Sequence, residues 1–462
     1  MTKLKTPYDF GRGHPNPNCL PDDEMRQLLA SISTLHEKKT LSDSNKDEDD
    51  EDDRTRLCLN YGHSAGSDRF LSELRSFLER QTINDETIIK KNNDEKLMND
   101  FFITNGVSHG IDLLCGTLTK PGDIVLVERP TYFLVSEIFK SHGLIIQDLP
   151  MKSLHGDIDI DQLISILSKM KKRPRMIYII PTHHNPTSKT LSIKQRQQLA
   201  QIVIQYNILL IADEVYHLLD WRTNNDFQNN NNNNITEKAN QSRPTRITTF
   251  NHLRKSTKDD SIGCCISVSS FTKIFAPGIR LGWIEAPSNI ISSLRRHGYI
   301  ISQGGVAPFL GNFLMCHALH TRVVDSFLEK LNATYSRRVT LLCQILQQEK
   351  RIQLPNGIPL GGYFLWIQFP SQVNTIDFLT YCQTQYDVLY RPGPNCDSFF
   401  VARNDDPLEY SCHNTDTILA DESFQSFARI CFADLDEDDL MEGAKRLLCA
   451  FQQYMIEIET NE

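Results

Sequence analysis

Lys273 lies in the run Ser269-Ser270-Phe271-Thr272-Lys273-Ile274-Phe275-Ala276-Pro277-Gly278-Ile279-Arg280-Leu281-Gly282-Trp283, three residues after Ser270 and seven before Arg280. An amine in such company can condense with an aldehyde cofactor. Once a substrate amine displaces it, it can carry a proton as a general acid or base. A phosphate on that cofactor would suit a short hydroxyl, Ser270, and a planar, always-charged guanidinium, Arg280. A lysine standing alone would read as a surface residue.

Matching chemistry recurs along the chain. Asp213 ends the apolar run Ile208–Ala212 and opens Asp213-Glu214-Val215-Tyr216. A carboxylate at the mouth of a parallel strand can pair with a protonated ring nitrogen and keep the ring electron-accepting. The bland alternative is a helix N-cap. Asn185, in Pro181-Thr182-His183-His184-Asn185-Pro186-Thr187, offers an amide to a ring oxygen, although Asn-Pro is also an ordinary turn. Thr104-Asn105-Gly106-Val107-Ser108-His109-Gly110 precedes a helical pattern. Backbone amides at a helix start bind anions, but a glycine-containing cap is common. Tyr132, in Pro130-Thr131-Tyr132, can stack on a ring or pack in the core. Arg429, in Phe427-Ala428-Arg429-Ile430-Cys431-Phe432-Ala433, can clamp a carboxylate in two-pronged fashion or sit at a strand edge.

As an ordered set, S-F-T-K…P-G-x-R-x-G-W, D-E-x-Y, N-P-T, P-x-Y and R-x-x-F-A resemble the signature of pyridoxal-phosphate (PLP) aminotransferases of class I/II, fold type I. The resemblance runs from about Gly11 to Phe451, outside two inserts. It implies PLP as cofactor, carried by Lys273, which also moves the proton. The phosphate would fall to Ser270, Arg280 and the Gly106-Val107-Ser108 turn, with Val107 contributing backbone only. The ring would be held by Asp213 at its nitrogen, by Tyr216 and Asn185 at its oxygen, and by Tyr132 on its face. Arg429 would hold the substrate α-carboxylate, with Asn185 beside it. Ser188 replaces the glycine of the family's N-P-T-G, and the Asp213–Lys273 spacing is longer than usual, which the Asn-rich insert explains.

Tyr61-Gly62-His63-Ser64-Ala65-Gly66, leading to Leu74-Arg75, resembles the family's Y-G-x-x-x-G…L-R element. It implies that Tyr61 reaches the phosphate of a neighbouring subunit, which makes a homodimer obligatory. The arm Gly11-Arg12-Gly13-His14-Pro15-Asn16-Pro17-Asn18-Cys19-Leu20-Pro21 resembles the branch of 2-aminoadipate and kynurenine aminotransferases, in which this segment covers the substrate pocket. Gly13 and Asn16 would then line it; plain dimer contacts are the alternative.

Short β-rich runs fall at Asp123–Val127, Leu144–Gln147, Met176–Ile180, Ile208–Ala212 and Cys264–Ser269. Helical patterns at His109–Leu118, Asp161–Met170 and Lys194–Tyr206 fill the gaps. Such alternation means an α/β fold with a mostly parallel sheet covered on both faces, and ligands beyond the carboxyl ends of its strands. The expected organisation is an arm with a short helix over 1–59, a large PLP-binding domain over 60–330 and a smaller α+β domain over 331–462. That last unit is reached through a helix at Val324–Gln348 and holds a strand at Tyr363–Phe369. A charged insert at 41–56 interrupts the arm. A segment at 221–260, with six consecutive asparagines at 229–234, reads as a disordered surface loop.

The 462 residues carry a formal net charge of −9. Eight acidic residues and one lysine between Asp43 and Asp53 account for −7 of it. The acidity therefore describes one segment and argues against a nucleic-acid face. Twelve cysteines without a CxxC pair suggest neither a disulfide frame nor a metal site. With no apolar run of about 18 residues, no membrane span is expected. The N-terminus shows no leader pattern, so a cytoplasmic setting follows, the nucleus not being excluded.

The expected activity is transfer of an α-amino group from 2-aminoadipate, an aromatic or a similar amino acid to a 2-oxo acid, by resemblance 2-oxoglutarate. A PLP-dependent C–S lyase or synthase would use the same residues. A non-catalytic scaffold would have lost some of them.

Overall fold

The computed structural model describes residues 7–39, 59–63, 65–81, 99–154, 156–222, 244–254, 263–307, 309–397 and 424–461. The acidic insert and the asparagine run lie outside these residues.

The arm opens with a two-residue strand, β1 (Tyr8–Asp9), and a helix over Asp22–Lys39. That helix has 18 residues, where a short one was expected. The main sheet comprises β2 (Asn99–Thr104), β3 (Ile124–Val127), β4 (Ile145–Asp148), β5 (Met176–Ile179), β6 (Leu209–Asp213), β7 (Cys264–Ser270) and β8 (Gly282–Pro287). Their order is β2-β8-β7-β6-β5-β3-β4. Neighbours from β7 to β4 are parallel, whereas β8 runs antiparallel to both β2 and β7. The sheet is thus mixed, and the sequence reading missed β2 and β8. Both lack a clean apolar run, because Asn99, Asp100 and Glu285 interrupt them.

Alternation along the parallel strands sorts side chains onto two faces. Val125, Val127, Met176, Tyr178, Leu209 and Ile211 join one buried cluster. Ile124, Leu126, Ile177, Ile179, Leu210 and Ala212 join the other. Helices cover both faces, so these strands read as continuous apolar runs. The helix over Ile193–Tyr206 begins with a capping box, Ser192 with Gln195, and ends at Asn207 in the left-handed region.

The supposed loop at 221–260 is corrected in part. Residues Ile247–Leu253 form a 3-10 helix with Ile247 and Phe250 buried against the second cluster. Asn251 takes the Cys265 amide on Oδ1 and donates from Nδ2 to the Cys265 carbonyl, both at 2.9 Å. A polar composition hid a few well-placed apolar anchors.

The C-terminal part carries β9 (Phe364–Gln368), β10 (Val388–Leu389), β11 (Arg391–Pro392) and β12 (Phe427–Cys431). Strands β11, β12 and β9 form a separate antiparallel sheet in that order, and β10 pairs with β1. The pairing with β10 ties the arm to the C-terminal part, and the Cys431 amide on β12 ties it to the second sheet by donating to the Phe10 carbonyl at 2.8 Å.

Candidate active site

The carboxyl ends of the parallel strands converge, as the topology requires. Asp213 terminates β6, Ser270 terminates β7 and the Pro181–Thr187 segment follows β5. Lys273 stands on the single helical turn Phe271–Ile274 that begins at once after β7.

The Lys273 amine is half-buried. It donates to the Gly13 carbonyl at 2.7 Å and lies 4.9 Å from the centre of the Tyr363 ring. Burial lowers its pKa to about 8, with Arg429 pushing the same way and Cys431 and Asp213 opposing. A lysine shifted in this direction gives up its proton near neutral pH.

Asp213 is buried. Its Oδ2 accepts from the Tyr178 hydroxyl at 2.9 Å and its Oδ1 from the Val215 amide at 3.3 Å. Burial pushes its carboxyl up to about 6, against those two hydrogen bonds and the charges of Lys273 and His184. A buried carboxylate of this kind gains by meeting a cation. Tyr178 was missed. A tyrosine inside the fully buried strand β5 must find a partner for its hydroxyl, and that was a usable signal.

Tyr216 is buried with its ring 5.6 Å from Tyr363 and 5.9 Å from Phe364. Tyr132 is partly buried; its phenol pKa is raised by burial, and it feels the charges of Asp213 and Arg429. Asn185 follows β5 and accepts on Oδ1 from Arg429 Nη1 at 2.9 Å. Arg429, on β12, also donates from Nη2 to the Gly11 carbonyl at 2.7 Å, and its guanidinium carbon lies 4.1 Å from the Phe364 ring centre. Its Nε is buried without an acceptor.

Behind Asn185, a second buried pair went unforeseen. His184 Nε2 lies 3.2 Å from Glu128 Oε2, and that same oxygen accepts the Ile180 amide at 2.7 Å. Ser188, at the position of the family's glycine, has φ of 62° and donates to the Phe364 carbonyl at 2.6 Å. The departure from N-P-T-G thus bolts this loop to the second sheet.

The residues expected to hold a phosphate lie close together. Gly106 has φ of 90°, in the region that favours glycine, and precedes the helix Val107–Leu118. A Cβ there would stand 2.9 Å from Arg280 Nη2. Arg280 is exposed, and its Nη2 donates to the Asn105 carbonyl at 3.2 Å. Ser108 is exposed in the first turn of that helix. Ser270 Oγ accepts from the Thr272 amide at 3.0 Å and donates to the Leu281 carbonyl at 2.8 Å. Amides of a helix start, a guanidinium and a hydroxyl thus share one corner. Tyr61 is 80 % exposed.

These residues fit PLP. The Asp213 carboxylate takes its hydrogen bonds from a hydroxyl and an amide rather than from a cation, the half-buried Lys273 amine donates to a backbone carbonyl beside the Tyr363 ring, and the Gly106–Arg280 cradle is one that a Cβ would fill. Bound there, PLP supplies an electron sink for charge developing at a substrate's α-carbon.

Comparison with known proteins gives the same picture. A mouse protein, kynurenine/alpha-aminoadipate aminotransferase, mitochondrial, is 24% identical over 409 residues, covering 86% of this chain and 84% of its own length. Aromatic-amino-acid aminotransferase 1 of Thermococcus litoralis is 24% identical over 364 residues, 77% of this chain and 73% of that protein. The crystal structure of Pyrococcus horikoshii kynurenine aminotransferase, solved with PMP, superposes with a TM-score of 0.71 at 20% identity, over 98% of this chain and 92% of that one. The family described as aminotransferase class I and II matches residues 31–447, nearly the whole of the frame that carries these side chains, and this chain belongs to it as a PLP-dependent transaminase.

Proposed function

We propose that the chain moves the α-amino group of an aromatic or 2-aminoadipate-like amino acid to a 2-oxo acid, with 2-oxoglutarate as acceptor. The carrying observation is a shared wall. The Gly11 and Gly13 carbonyls, two residues apart, face Arg429 Nη2 and Lys273 Nζ, each at 2.7 Å. Two residues of extended chain span about 7 Å at most. The reacting amine and the arginine expected to hold a carboxylate are thus spaced for one amino acid. The names of the mouse and Thermococcus relatives support the substrate class.

In this reading Arg429 and Asn185 fix the α-carboxylate and orient the Cα–H towards Lys273. Lys273, with its lowered pKa, takes the α-proton and later returns one. Asp213 would hold the ring nitrogen's proton, Tyr216 and Asn185 would serve the ring oxygen, and Tyr132 the ring face. Ser270, Arg280 and the Gly106-Val107-Ser108 amides would hold the phosphate. The arm residue Gly13 closes the substrate side.

We further infer a homodimer in which the exposed Tyr61 reaches the partner's cofactor phosphate. The ten described cysteines are free and nine are buried, which supports the expected reducing, cytoplasmic setting. No described helix is long and apolar enough to cross a membrane.

The test is a half-reaction. PLP-loaded protein is mixed with one amino acid without acceptor, and the 2-oxo acid is measured. One product per site, with glutamate appearing only after 2-oxoglutarate is added, supports the reading. Ammonia and pyruvate from a cysteine-type substrate, with no glutamate formed, would overturn it.

A further inference from the structure

The second sheet sets three donors in a row. Arg391 on β11 is in register with Arg429 on β12, and Arg429 with Trp366 on β9. Facing residues of an antiparallel ladder project from one face, with Cα atoms about 4.5–5.5 Å apart. Two guanidinium groups and an indole N–H therefore share the face that carries Arg429 into the site.

Like charges at facing positions repel, and burial strengthens the repulsion. No described carboxylate separates these two. Arg391 is partly buried and donates from Nε and Nη2 to the Asn395 carbonyl, at 3.2 and 2.9 Å, with the neutral Cys396 thiol also beside it. Asp397, six residues after Arg391, is bound by Arg129 at 2.7 Å. Arg429 Nε and Trp366 Nε1 are both buried without acceptors. Among the described residues, then, the row has no paired anion. One α-carboxylate on Arg429 would leave Arg391 without an anion among the described residues.

The seat of Arg391 suits an anion within the substrate space. Its guanidinium carbon lies 3.8 Å from the centre of the Phe133 ring, and Phe133 packs beside Tyr132 at 5.9 Å. A guanidinium stacked on an aromatic face keeps its N–H edge open for two-pronged binding of a carboxylate.

We propose that Arg391 binds the side-chain carboxylate of dicarboxylic substrates, so that acidic amino acids and their 2-oxo acids are held at both ends. This rests on the proposed function for the reaction and decides the substrate class within it. Arginines whose Cα atoms start about 5 Å apart can reach two carboxylates joined by a short methylene chain.

The test compares glutarate with pentanoate, which differ only by the second carboxylate. Their affinities for the PLP-loaded protein are measured by calorimetry. The wild-type protein is expected to bind glutarate about 10- to 100-fold more tightly. Arg391→Gln brings the ratio near one, and Arg391→Lys restores part of it. In steady state, the kcat/KM ratio of glutamate to glutamine falls by a similar factor in Arg391→Gln, through KM. Equal affinities in the wild type, or an unchanged ratio in Arg391→Gln, overturn the proposal. The wild-type comparison holds even if the glutamine variant fails to fold. Were no amino acid transaminated, the proposed function would fail by itself, and the glutarate ratio would still report on Arg391.

Discussion

Arg429 and Asn185, 244 positions apart, are joined by a 2.9 Å hydrogen bond from Nη1 to Oδ1. The bond couples the second sheet to the loop after β5. Asn185→Ala removes the acceptor that aims the guanidinium. It is expected to lower kcat/KM by about 10- to 100-fold, chiefly through a higher KM for the amino acid. Steady-state kinetics with two donors checks this. A pure kcat effect would show that Asn185 does not position Arg429.

Asp213 links stability to pH in the cofactor-free protein. Burial raises its carboxyl from 3.8 to about 6. A group raised on folding favours the folded state most below its unfolded value, and that contribution is lost as pH rises from 3.8 towards about 6. Asp213→Asn should therefore stabilise the cofactor-free protein at neutral pH, by on the order of 3 kcal/mol. The same change should weaken PLP binding. Thermal unfolding without PLP and a PLP titration read the two effects. A destabilised cofactor-free variant would contradict the first.

Tyr178 holds the Asp213 carboxylate in its charged form through its hydroxyl. Tyr178→Phe removes that bond, so the Asp213 pKa rises further. The acid limb of the kcat/KM profile is expected to move to higher pH, with the alkaline limb in place. An unmoved acid limb would separate Tyr178 from the ionisation of Asp213.

Gly106→Ala meets two obstacles. The backbone has φ of 90°, and the new Cβ would stand 2.9 Å from Arg280 Nη2. Strain of about 1–3 kcal/mol and a displaced guanidinium should weaken PLP binding by about 10-fold or more. A fluorescence titration with PLP measures it, and an unchanged dissociation constant would remove the Gly106 turn from the phosphate site.

The proposed sharing of Tyr61 across a dimer has a complementation test. Lys273→Ala alone should lower turnover by about 10³-fold or more, and Tyr61→Ala should lower PLP affinity. In a mixed dimer, one site carries both defects and the other carries neither. Recovery of activity on mixing the two variants is expected. Failure to recover, with mixed dimers verified by mass spectrometry, would place Tyr61 in its own subunit's site or outside both.

The local record was rich where a residue's role follows from its immediate neighbours. The apolar runs of β3 to β7, the strand-end position of Asp213 and the turn before the helix Val107–Leu118 all came from short-range pattern, because period and punctuation are local properties of a chain. Lys273 with Ser270 and Arg280 was legible for the same reason. The 3-10 helix Ile247–Leu253 was not, since two buried anchors in a polar run leave almost no periodicity.

By itself, then, the sequence determined the α/β layering and singled out the candidate reactive side chains. Only the tertiary structure decided who meets whom: Tyr178 on Asp213, the Gly11 and Gly13 carbonyls on Arg429 and Lys273, and Arg391 beside Arg429. Those pairings span strands and sheets far apart in the chain. They are set by strand order, register and the seating of the arm, which no short window of residues encodes.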